Sequence, residues 1–107
     1  MTVHLCFCAC PDAASAQRIA EALVEERLAA CVSMVPGLRS VYRWQGAIER
    51  ADEVLLLVKT TRERVESLTA RVAQLHPYEL PELLSVEVAG GAAAYLHWVD
   101  AQTRTGD

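Results

Sequence analysis

The stretch CVSMVPGLRSVYRWQGAIERADEVLLLV, Cys31 to Val58, decides the fold. Cys31 to Val35 reads as a strand, Pro36-Gly37 interrupts it as a bulge or kink, and Val41 to Trp44 resumes it. Gln45-Gly46 then offers a tight hairpin turn into another strand, which ends in the apolar run Val54 to Val58. A continuous run of that kind suits a strand covered on both faces. Two strands joined by a two-residue turn must lie side by side and antiparallel, which gives the centre of a sheet.

The flanking segments extend this hairpin in both directions. From Val3 to Cys10 the chain alternates, with Val3, Leu5, Phe7 and Ala9 on one face and His4, Cys6, Cys8 and Cys10 on the other. Pro11 and Asp12 break that strand and offer a cap; from Ala16, Ile19, Ala20, Leu23, Val24 and Leu28 recur at helical spacing, predicting a helix to about Ala30. Thr60-Thr61-Arg62-Glu63 has capping-box spacing ahead of an apolar stripe, Val65, Leu68, Val72 and Leu75. Pro77 disfavours a helical backbone at His76 and ends that helix near Leu75. Leu83 to Val88 supplies a last strand, and Gly90-Gly91 precedes a helix over about Ala93 to Gln102. The order βαββαβ with a helical tail is an α+β, ferredoxin-like sandwich: an antiparallel sheet with two helices on one face.

At 107 residues and 11.7 kDa, with no Pro, Gly or Ser-rich divider, residues 1–107 read as a single domain. A share of 52% hydrophobic residues is high for so small a chain and points to a spare apolar face and self-association. A net charge of -4 offers no basic stripe for phosphates, so nucleic acid and anionic membranes are not expected partners. The longest strongly apolar run, Val54 to Val58, is far short of the ~20 residues of a bilayer span. The beginning MTVHLCFCACPDAA lacks the basic flank of a secretory signal, so a cytoplasmic protein with its four cysteines reduced is expected.

Cys6, Cys8 and Cys10 share a strand face and raise the question of a metal. Alternate strand residues lie about 6.6 Å apart, whereas two thiolates on one zinc at ~2.3 Å each sit within roughly 4 Å of one another. The run alone is therefore not expected to close a site. Cys6, Cys10 and Cys31 are expected to pack as small apolar groups, while Cys8 is kept as one ligand among several. His76, at a helix end and before a proline, is open to a structural or a ligand role. His4 and His97 have no companions at ligand spacing. Gly90-Gly91 lacks a phosphate-loop pattern, and no Ser-His-Asp or Cys-His set can be drawn, so no enzyme is expected.

Three stretches together, ERLAACVSMVPG at Glu26 to Gly37, SVYRWQG at Ser40 to Gly46 and HPYELPELL at His76 to Leu84, resemble the CutA divalent-cation tolerance proteins. The likeness extends from CACPD at Cys8 to Asp12 through YLHWV at Tyr95 to Val99. It implies a ferredoxin-like fold similar to the PII signalling proteins, a homotrimer, and binding of divalent cations, copper above all, with none required for folding. By the same resemblance Cys8 and His76 are the metal ligands, and Tyr42, Trp44, Tyr78, Pro81 and Glu82 shape a pocket or subunit contact. Two departures stand out: Leu75 replaces the first histidine of the family's pair, and the hairpin reads Trp44-Gln45-Gly46-Ala47 instead of Trp-Glu-Gly-Lys. The competing readings are a PII-like regulatory trimer that takes a small anionic or nucleotide effector in its subunit clefts, and a scaffold for an unidentified protein.

Overall fold

The computed structural model describes residues 2–105. The elements are β1 (Val3–Cys10), α1 (Ala13–Glu25), β2 (Cys31–Trp44), β3 (Ala47–Thr61), α2 (Arg62–Leu75), β4 (Leu84–Glu87) and α3 (Ala93–Thr103). β2 and β3 pair antiparallel from Cys31 opposite Lys59 to Trp44 opposite Ala47. Gln45 and Gly46, with φ of 50° and 83°, form the two-residue turn in which both central residues are left-handed. The expected bulge is present: Val35 faces Leu55 while Leu38 faces Glu53, so β2 carries one extra residue, with Gly37 at φ 81°. β1 adds to the other edge of β3 and β4 to β1, giving the antiparallel order β2-β3-β1-β4.

Strand alternation then sorts side chains to two very different faces. Cys6, Cys8, Cys10, Leu56 and Val58 point into one core with Ile19 and Leu23 of α1 and Leu68 and Val72 of α2. On the opposite face Leu5, Phe7, Leu55 and Leu57 are only half-buried, and Val35, Leu84 and Val86 are exposed. α3 covers one end of that face, where Val99 packs with Val3 and Ala30. The apolar run of β3 is thus covered on one side within the protomer, not both. The molecule measures 47 × 25 × 21 Å. Its surface of 6515 Å² exceeds the about 5,900 Å² expected of a monomer this size, as a projecting hairpin and an open sheet face require.

α1 starts at Ala13, just after the expected cap, with Asp12 accepting from the Ser15 amide at 2.7 Å, but it stops at Glu25 instead of Ala30. Arg27 adopts φ 58°, and the Leu28 and Arg27 amides donate to the carbonyls of Leu23 (2.9 Å) and Val24 (3.1 Å), a Schellman closure. Leu28 then enters the core beside Leu23. A left-handed arginine is strained where glycine is not, so Arg27→Gly is expected to raise stability by about 0.5–1 kcal/mol. Urea unfolding checks this; a loss instead would mean that the Arg27 guanidinium bond to the Gln102 carbonyl (3.1 Å) outweighs the backbone strain.

The capping box at the start of α2 does not form. Thr61 is the N-cap and makes no side-chain cap bond. Thr60 donates its hydroxyl to the buried Leu28 carbonyl at 2.6 Å, and Thr61 bonds the Thr103 hydroxyl at 3.2 Å. The Thr60 hydroxyl satisfies the buried Leu28 carbonyl, and Thr61 joins the Thr103 hydroxyl, which also donates to the Val99 carbonyl at 2.9 Å.

Candidate functional site

α2 ends where the sequence requires, at Leu75. His76, the C-cap, takes φ -76° and ψ 138°, the extended conformation that a residue before proline prefers. This turn aims the imidazole back at the end of β1. Its Nε2 lies 2.8 Å from the Ala9 carbonyl, and the Tyr78 amide lies 3.1 Å from Nδ1. An amide can only donate, so Nδ1 accepts, and the ring proton sits on Nε2 and is donated to Ala9. The ring is 7% exposed and packs on Tyr78 with centroids 4.7 Å apart. His76 is therefore a latch between α2 and β1, with both nitrogens engaged.

Cys8 and Cys10, on either side of Ala9, are fully buried beside this ring. The two sulfurs and an imidazole nitrogen lie within 4.8 Å of one another, the only such trio of His, Cys, Asp or Glu donors among the described residues. The spacing argument from the strand rise fails here because it measures Cα atoms, and thiol rotamers lean together across the pleat. The pair titrates as a unit: a hydrogen bond between the thiols, and then burial, pushes the Cys8 thiol up, while the same bond pulls Cys10 down.

The donors suit a soft or borderline ion such as copper or zinc. Cys8, Cys10 and His76 are the residues that would hold it, and His76 would have to give up the Tyr78 amide to offer Nδ1 as a donor. Leu75, at the position of the family's first histidine, packs against the core.

On the other side of Ala9, on the open sheet face, lies a cavity of about 640 Å³. Tyr42, Trp44, Tyr78 and Glu82 all line it, as do Glu53 and Glu79. Glu53 is 8% exposed and accepts from the Tyr78 hydroxyl at 2.7 Å. Burial, then this bond, pushes the Tyr78 phenol well above its ordinary range. The remaining candidates lie apart from the trio. Cys6 is core, its thiol raised by burial. Cys31 is half-buried near Lys59, His4 bonds Ser85 at 2.7 Å, and His97 is exposed. Cys10 and Glu53 are the residues that sequence reasoning missed. Cys10 was signalled only by its period of two from Cys8, and Glu53 only by sharing a face with Leu55 and Leu57.

The sequence profile of the family described as CutA1 divalent ion tolerance protein matches residues 4–102. The divalent-cation tolerance protein CutA of Thermus thermophilus is 52% identical over 93 residues, covering 87% of this chain and 90% of that protein. The crystal structure of CutA from Xylella fastidiosa superposes with a TM-score of 0.93 at 47% identity, covering 95% of this chain and 98% of its own. CutA of Archaeoglobus fulgidus, named as a periplasmic divalent cation tolerance protein, gives a TM-score of 0.92 at 31% identity, over 95% of this chain and 99% of that one. With most of its length matched at this identity, the chain belongs to the CutA1 divalent ion tolerance family.

Proposed function

We propose that this protein is a homotrimeric copper-binding protein that takes part in cation tolerance through a buried Cys8–Cys10–His76 centre. One observation carries the reading: two thiols and an imidazole converge within 4.8 Å where the fold excludes water. Cys10 supplies the third donor that Leu75 cannot. The trimer is supported by the half-buried apolar sheet face, which needs a cover that the protomer lacks. The cytoplasm is favoured by the four free cysteines.

The test is titration of reduced, metal-free protein with copper and zinc against a competing chelator. Saturation at a fixed ratio, weakened at least about tenfold in Cys8→Ser and in Cys10→Ser, is expected. Affinity should rise with pH, because the second thiol proton must leave for the ion to bind. Binding unchanged in both serine variants would overturn the centre.

The cavity favours a second reading, a PII-like regulator that holds a small effector near Tyr42, Trp44, Tyr78 and Glu82. Its carboxylates speak against the anionic or nucleotide effector that the sequence reading raised, since like charges repel in so confined a space.

A further inference from the structure

The cavity beside Ala9 carries an uncompensated sign. Glu53, Glu79 and Glu82 contribute carboxylates and Tyr42, Trp44 and Tyr78 contribute rings, while no lysine, arginine or histidine lines it. Glu79 and Glu82 are exposed and solvated, so by themselves they mean little. Glu53 is different. It is more than nine-tenths buried, yet it has no cationic partner among the described residues; its one side-chain bond is to the neutral Tyr78 hydroxyl through Oε2. A carboxylate has room for about four hydrogen bonds, so Glu53 keeps acceptor capacity to offer a ligand.

We infer that this cavity binds a small organic cation, an amine or a quaternary ammonium. The aromatic residues decide between a bare metal ion and an organic cation. Aromatic rings attract an alkylammonium through the ring quadrupole while packing its carbon, whereas a hard metal ion seeks only oxygens. The glutamates, moreover, do not converge as the thiol and imidazole donors do: no three of the described carboxylates come within one ion's reach. A volume of about 640 Å³ also falls in the range of small-molecule sites and is far larger than an ion needs. The arrangement is that of a neutralising carboxylate at the floor, aromatic walls, and two exposed carboxylates at the rim that raise the local concentration of cations. The Tyr78 hydroxyl donates to Glu53 Oε2 at 2.7 Å and fixes the carboxylate beside the cavity.

The metal-free protein, in phosphate buffer, is titrated with choline and with its neutral carbon isostere 3,3-dimethylbutan-1-ol, followed by isothermal titration calorimetry. Choline is expected to saturate and the alcohol not. Affinity for choline should fall by about tenfold or more in Glu53→Gln, which preserves the shape and the Tyr78 bond, and in Trp44→Leu. Should the buried substitution unfold the chain, Glu82→Gln at the rim carries the same comparison with a smaller, salt-sensitive loss. Cys8→Ser should bind choline as well as the parent, separating this site from the thiol centre. Equal binding of choline and the alcohol, no saturation with choline, or affinity unchanged by removal of the carboxylates would overturn the proposal; the second of these is what a pocket already filled by another copy's side chain would give.

Discussion

His76→Ala is expected to destabilise the metal-free protein by about 2–4 kcal/mol. The variant loses the bond from Nε2 to Ala9 and the bond from the Tyr78 amide to Nδ1, and it removes a buried ring stacked on Tyr78. Each bond contributes about 1 kcal/mol net, and a buried carbonyl or amide left without a partner adds to the loss. The same change should weaken copper binding, but the stability loss comes first and needs no metal. Urea unfolding of apo protein with chelator present checks it. A loss below about 0.5 kcal/mol would mean that His76 is free in solution and acts only as a ligand.

Leu57→Glu is expected to convert the proposed trimer into a monomer of 11.7 kDa in sedimentation at micromolar concentration. Leu57 stands in the middle of the open sheet face, between Phe7 of β1 and Ser33 of β2, and is half-buried in the protomer. A carboxylate there remains solvated in a monomer, so the fold survives. Covered by another copy, it is desolvated without a partner at a cost of several kcal/mol per ion. The far-ultraviolet dichroism should stay unchanged while the mass falls. A variant that keeps the parent's threefold mass would show that this face is not the contact.

Where the chain carries its signal in local chemistry, the fold was legible. The Gln45-Gly46 turn, the Gly37 bulge and the Pro77 stop each depend on one or two residues whose backbone preferences are strong, and all three lie where the sequence predicts. The end of α1 was not legible, because the left-handed residue that closes it is Arg27, with no glycine to mark it, and because Leu28 continues the apolar period outside the helix. The capping box misled for a related reason. Thr60 and Thr61 have the right spacing, but their hydroxyls are taken by Leu28 and Thr103, partners far away in the chain.

The same division holds at the site. His76 could be singled out from its place between a helix and a proline, but its bond to Ala9 spans the fold and has no local trace. Cys10 reads as core in the sequence, and its full burial agrees; its approach to Cys8 and His76 was not legible because strand rise fixes Cα spacing and leaves the sulfurs free to approach. Glu53 sits directly before the apolar run of β3, where a charged residue reads as the strand's solvated end. The hydroxyl of Tyr78, brought over from the α2–β4 loop, is its side-chain partner and leaves no trace in the local sequence.

X-ray absorption at the copper edge, on protein loaded with one copper per chain under reducing conditions, tests the thiol centre most directly. The expected first shell contains two sulfurs at about 2.3 Å and one imidazole nitrogen at about 2.0 Å, with one sulfur lost in Cys10→Ser. A shell of oxygen and nitrogen alone, or one that Cys10→Ser leaves unaltered, would contradict it.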